Sequence, residues 1–178
     1  MPYRAILLCV ATLCLQSAAA RAVLDDPSAF RGLILVDSFL SAVPAAYMEP
    51  TAVALAKDPA PALGIFFALM TTGPAQTERL VADALRVPPA TLQAYLRAMT
   101  QDPLASRRAQ LRLPVLQLAA GPREPDPAKE AAALAQYGFK ELPAFRVIHF
   151  PAAKHWVMWD APGPFLVAVR AFEAGLGR

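Results

Sequence analysis

The sequence predicts an α/β protein in which about three parallel strands are flanked by helices. Three apolar runs have the form of parallel strands buried on both faces: residues 32–36, 115–119 and 146–150. Asp126 and Pro127 open a helical pattern between the last two runs, Gly138 ends it, and a second helical pattern covers residues 165–176. This strand–helix–strand–helix order implies right-handed crossovers and a parallel sheet with helices on its faces.

A helical insertion is predicted between the first and second strands. Residues 41–110 carry no strand pattern, and prolines divide them into helical pieces near residues 60–71, 75–86 and 90–101. We expect these helices to lie outside the sheet. The first piece is unusually apolar, so its apolar side either packs against the other helices or lines a substrate pocket.

Composition and charge exclude several classes of protein. The chain has 178 residues, 56% of them hydrophobic and 17% charged, which is enough to bury a core and unlike a disordered segment. The formal net charge is only +3, and we predict no nucleic-acid partner. Both cysteines fall within the first 14 residues and there are only two histidines, so we predict neither a metal site nor a cofactor.

The N-terminus has the three parts of a secretory signal peptide. Residues 1–22 comprise a basic start at Arg4, an apolar run over residues 5–15 and a stretch of small residues. The apolar run is too short to form a stable transmembrane helix. We therefore predict cleavage near Ala20 or Ala22 and a secreted or periplasmic protein.

An alternative interpretation of the same segment leaves it in the folded protein. Residues 5–14 would then form a buried strand that leads into a helix near Ser17, and the protein would be cytoplasmic. Periodicity does not separate a short apolar strand from the apolar part of a signal peptide. In both interpretations, residues 23–178 form the main domain.

Polar residues follow each predicted strand at its C-terminal end, where open α/β sheets place their catalytic groups. Asp37 and Ser38 follow the first strand, Glu124 and Asp126 follow the second, and His155 follows the third. An acid on one loop and a histidine on a neighbouring loop form the supporting half of a nucleophilic triad. The acid orients the imidazole, and the imidazole takes a proton from the nucleophile.

Three segments together resemble the α/β-hydrolase fold superfamily. Residues 154–165, KHWVMWDAPGPF, resemble its catalytic-histidine segment, with an aromatic residue after the histidine and an acidic residue before a proline. Residues 31–38 resemble the strand that follows the nucleophile helix, and residues 113–121 resemble the strand that ends at the acid loop. The resemblance covers about residues 23–177. It implies the C-terminal half of an α/β-hydrolase domain, with residues 41–110 as its cap.

The resemblance implies a serine-type hydrolase of ester, amide or similar bonds, with His155 as the general base. Glu124 stands three residues after Gly121, where the family commonly places its acid. Asp126 competes with Glu124, although its position also suits the N-cap of the next helix. Asp37 is a third candidate, because some members take the acid from the loop after this earlier strand.

The family's nucleophile lies in a Gly-x-Ser-x-Gly turn, and no such motif occurs in the 178 residues. Counting back from Asp37 by about two dozen residues reaches Cys14, whose neighbours Leu13 and Gln16 would crowd so tight a turn. We therefore predict a truncated hydrolase for a small apolar or ester-type substrate. The alternatives are a non-catalytic secreted protein that binds a small molecule, and a remnant without a selected function.

Overall fold

The computed structural model describes residues 5–9, 15–101 and 104–177. The chain divides into two compact units, one formed by residues 1–41 and 103–178 and the other by residues 42–102. The first unit contains a parallel sheet and its flanking helices. The described part of the second unit consists of helices and the turns that join them.

Four strands form the sheet, in the spatial order β1-β2-β3-β4. They are β1 (Ala5–Cys9), β2 (Phe30–Val36), β3 (Val115–Ala120) and β4 (Phe145–Phe150). Each neighbouring pair is parallel; Leu33 of β2 lies opposite Val115 of β3, which lies opposite Phe145 of β4. The three strands predicted from the apolar runs are therefore confirmed as parallel neighbours, and β1 adds a fourth strand beside β2.

Eight α-helices occur in the described residues. They are α1 (Leu15–Asp25), α2 (Ala45–Lys57), α3 (Pro59–Ala68), α4 (Pro74–Ala84), α5 (Pro89–Ala98), α6 (Pro127–Gln136), α7 (Val157–Asp160) and α8 (Pro162–Gly175). Five of them begin at a proline, because the fixed φ of proline suits the first helical position and its missing N–H has no partner there. Helix α2 was not predicted, because it contains Pro50, a residue that normally interrupts a helix.

The core of the first unit occupies both faces of the sheet, because successive strand residues point to opposite sides. Leu33 and Leu35 pack with Ala20 of α1 on one face. Ile34 and Val36 pack on the other face. The partners on that second face are Leu116, Leu118, Val157, Phe165 and Phe172. Burial on both faces explains why β2 and β3 are apolar without alternation.

Helices α2 to α5 form the second unit. Helix α2 packs against α3 and α5, and α3 packs against α4. The most apolar of them, α3, buries Leu63, Phe66 and Phe67, whereas Ile65 remains 72% exposed. Helix α3 therefore carries large apolar residues on two sides. One side is buried, and the side with Ile65 is exposed.

In the described residues, the N-terminal segment forms a strand followed by a helix, as in the second interpretation of that segment. β1 pairs with β2, and α1 buries Ala20 completely in the core of the first unit. Cleavage at Ala20 or Ala22 would divide α1 and remove β1 from the sheet. Export and cleavage stay predictions of the sequence, which the mass of the mature protein tests. None of the helices in the described residues combines the length and hydrophobicity needed to cross a membrane.

Candidate active site

The loops that follow β2, β3 and β4 lie at one edge of the sheet, because the three strands are parallel. Backbone hydrogen bonds join the loops to one another. Asp37 N–H donates to the carbonyl oxygen of Leu118, and Gly121 N–H contacts the carbonyl oxygens of Phe150 and Ala153. The residues predicted to carry chemistry are therefore held on a connected backbone framework.

His155 pairs with Asp37. The imidazole Nδ1 lies 2.8 Å from Asp37 Oδ2, although the two residues are 118 positions apart in sequence. The His155 side chain is 14% exposed and the Asp37 side chain is 28% exposed. An ionised carboxylate only accepts hydrogen bonds, so the pairing places the ring proton on Nδ1. Nε2 is then the nitrogen that can take a proton from a reacting group.

A strained turn orients the Asp37 carboxylate towards His155. Asp37 has a φ of +42°, the one positive φ at a non-glycine position in the described residues. Its second oxygen, Oδ1, accepts a 2.8 Å hydrogen bond from Ala120 N–H. Aspartate tolerates left-handed backbone better than most residues, and a backbone in this region persists only where its surroundings fix it. Both carboxylate oxygens are thus engaged, one by the sheet and one by the histidine.

The loop around His155 is held by α7 and by an aspartate at its end. Lys154 N–H donates to Asp160 Oδ2 at 2.9 Å, and Val157 at the start of α7 is fully buried. The Trp156 ring meets the His155 ring edge-on, with 5.3 Å between centroids. The aromatic and acidic residues of the KHWVMWDAPGPF segment therefore serve to fix the histidine loop.

In the structure, His155 pairs with a different carboxylate from the two that the sequence placed first. The sequence placed Glu124 and Asp126 ahead of Asp37, but neither pairs with His155. Asp126 is the N-cap of α6, and its Oδ1 accepts a hydrogen bond from Ala128 N–H at 2.8 Å. Glu124 accepts one from Asp126 N–H at 3.1 Å. Both side chains thus stabilise the turn into α6, whereas the turn at Asp37 reaches across the end of β3 towards His155.

A second histidine–carboxylate pair lies in the same unit and was not predicted. His149 on β4 places Nε2 3.1 Å from Glu130 Oε1, and the two side chains are 18% and 12% exposed. Arg123 Nε is 4.0 Å from the same oxygen, and Glu124 N–H donates to Glu130 Oε2. Glu130 on α6 therefore contacts both β4, through His149, and the loop after β3.

The nucleophile candidate from the sequence, Cys14, lies outside the described residues. β1 ends at Cys9 and α1 begins at Leu15. Within the residues that the structure describes, no group of three or more histidine, cysteine, aspartate or glutamate side chains is placed to hold a metal ion.

The fold of the chain is similar to that of several solved structures. An esterase from Thermogutta terrifontis, solved with malate bound, matches with a TM-score of 0.72 and 19% identity over 97% of this chain. The enol-lactonase from Burkholderia xenovorans LB400 matches with a TM-score of 0.67 and 14% identity over 96% of this chain. A bromoperoxidase from Bacillus anthracis matches with a TM-score of 0.74 and 10% identity, again over 96%.

These similarities concern the fold, because the sequence identities are low. They confirm the α/β-hydrolase fold that the sequence resemblance implied. The chain spans 65% of the Thermogutta esterase, 66% of the enol-lactonase and 67% of the bromoperoxidase, and 63% of another thermophilic esterase. No protein-family model matches the sequence, and no curated protein matches it significantly.

Proposed function

We propose that this chain, whose fold is part of an α/β-hydrolase domain, carries the base and acid of a hydrolase site for esters, amides or similar bonds. The observation behind the proposal is the 2.8 Å hydrogen bond between His155 Nδ1 and Asp37 Oδ2 at the C-terminal edge of the sheet. His155 is the general base, and Asp37 replaces Glu124 and Asp126 as the proposed acid.

The geometry gives each residue a defined task. Asp37 holds the imidazole in one orientation and stabilises the positive charge that the ring gains in the reaction. His155 Nε2 takes a proton from an attacking hydroxyl or water, and returns it to the leaving group. Because the sheet fixes Asp37 through Ala120 N–H, the pair needs little rearrangement during the reaction.

The nucleophile is the missing component of this proposal. The 178 residues contain no Gly-x-Ser-x-Gly motif, and a base accelerates acyl transfer only when it has a group to deprotonate. We propose that the chain by itself is an incomplete, truncated form of such a site. Reading the nucleotide sequence upstream of Met1 in all frames for that motif would test this part directly.

A second candidate function is the non-catalytic binding of a small apolar molecule. It is supported by the missing serine motif and by exposed apolar side chains in the helical unit, among them Ile65 at 72% and Leu69 at 75%. In this alternative, the His155–Asp37 hydrogen bond serves only to join the loops that follow β2 and β4.

Slow ester hydrolysis separates the two candidates. Purified protein is incubated with p-nitrophenyl acetate, alongside His155→Gln and the matched variant His149→Gln. We expect a slow rate above buffer, from water attack assisted by the oriented imidazole. His155→Gln should lower this rate at least about tenfold, and His149→Gln should leave it within about twofold. Equal rates for all three proteins would refute the catalytic proposal and favour the binding function.

A further inference from the structure

Gln117 is a polar residue in the middle of an otherwise apolar buried strand. Its neighbours on β3, Leu116 and Leu118, are 1% and 0% exposed, and Gln117 itself is 5% exposed. Burial of an amide side chain is unfavourable unless its polar atoms find partners. A leucine or valine here would match the rest of the strand, so the glutamine needs an explanation.

The partner of this amide is the residue next to the proposed acid. Gln117 Nε2 donates to the backbone carbonyl oxygen of Ser38 at 2.9 Å. Ser38 is 3% exposed, and its hydroxyl donates to the carbonyl oxygen of Val36. The Ser38 carbonyl is therefore deep in the protein, where the Gln117 amide supplies its hydrogen bond.

β3 holds the turn at Asp37 and Ser38 through three hydrogen bonds. The carbonyl oxygen of Leu118 accepts from Asp37 N–H, and Ala120 N–H donates to Asp37 Oδ1. Gln117 provides the third bond, to the carbonyl of Ser38. Two of the three come from backbone groups that every strand has. Only the third depends on the identity of a β3 side chain.

We propose that Gln117 is a positioning residue for the His155–Asp37 pair. Its hydrogen bond to the Ser38 carbonyl fixes the backbone that follows Asp37, and so holds Asp37 at its φ of +42° with Oδ2 directed at His155. Without this bond, the turn is free to relax to a more favourable backbone region, and the carboxylate moves away from the imidazole. The loss of hydrolysis that this would cause rests on the proposed function. The weakening of the His155–Asp37 hydrogen bond does not.

The test uses the Nδ1 proton of His155, observed by NMR in the full chain. Its signal is identified by its loss in His155→Gln and its retention in His149→Gln. In Gln117→Met, which keeps the length but removes the donor, this proton should exchange with water about five- to tenfold faster than in the wild type, the factor expected for one lost hydrogen bond. Thr71→Val is the matched control, because it also replaces a buried polar side chain with an apolar one. It removes the hydrogen bond from Thr71 Oγ1 to the Phe67 carbonyl oxygen in the helical unit, and should change the exchange rate less than twofold.

A second test uses the wild-type protein, so it does not require that any variant folds. The Gln117 side-chain nitrogen should show a scalar coupling across the hydrogen bond to the Ser38 carbonyl carbon. Absence of this coupling, or an unchanged exchange rate in folded Gln117→Met, would overturn the proposal. Neither measurement uses turnover. If ester hydrolysis proves independent of His155 while both NMR results hold, the proposed function fails and the positioning role remains.

Discussion

The purified 178-residue protein is expected to hydrolyse short-chain activated esters about a millionfold more slowly than an enzyme with a complete serine triad, the loss seen when such a triad loses its nucleophile. His155 is oriented by Asp37, but the sequence offers no serine in a suitable turn. If His155 is the base, as proposed, it can then only assist the attack of water. Initial rates with p-nitrophenyl acetate, compared with a complete α/β-hydrolase under the same conditions, give the ratio.

Cys14→Ala is the control for this expectation, because Cys14 is the nucleophile candidate that spacing before Asp37 favours. We expect the variant to hydrolyse the ester within about twofold of the wild-type rate, since the expected reaction proceeds by water attack. Turnover near that of a complete triad, abolished both by Cys14→Ala and by His155→Ala, would contradict the account. The protein would then be a complete cysteine-type hydrolase.

Leu118→Ala is expected to lower the free energy of unfolding by about 2–5 kcal/mol. Leu118 is fully buried on β3, an interior strand of the sheet, and it belongs to the same apolar cluster as Phe150 and Phe165. Truncation removes its contacts and leaves a cavity that the surrounding strands fill only in part. This loss is a large fraction of the stability of a typical domain.

Urea denaturation followed by tryptophan fluorescence measures this effect. The chain has two tryptophans, Trp156 and Trp159, and both belong to the unit that contains the sheet. Leu166→Ala is the matched control, because Leu166 on α8 is 49% exposed; its cost should stay below about 1 kcal/mol. Equal losses for the two variants would contradict the placement of Leu118 in the core.

Much of the fold could be predicted because its signals are local. An apolar run without alternation identifies a strand buried on both faces, and β2 and β3 have that pattern. Asp126 and Gly138 mark the ends of α6, and the structure gives Asp126 a capping hydrogen bond and Gly138 a φ of +82°. The N-terminal segment was ambiguous, since a short apolar strand and a signal peptide share the same pattern.

The carboxylate partner of His155 could not be predicted, because the pairing depends on contacts between distant parts of the chain. Glu124 was favoured by its spacing after Gly121, but spacing along one loop does not tell which turn reaches the histidine. Asp37 reaches it because its backbone is left-handed and its other oxygen is held by β3. Gln117 is a polar residue within an apolar strand, and it contacts the turn that carries Asp37.

The pairing of His155 with Asp37 is tested most directly by the NMR signal of the His155 Nδ1 proton in three isosteric variants. Asp37→Asn removes the negative charge but keeps a residue that tolerates left-handed backbone; Glu124→Gln and Asp126→Asn remove the two carboxylates that the sequence favoured. We expect the signal to be lost or shifted strongly upfield in Asp37→Asn, because a charge-assisted hydrogen bond is replaced by a weaker one. It should be unchanged in the other two variants. A signal that survives in Asp37→Asn and disappears in Glu124→Gln or Asp126→Asn would contradict the account.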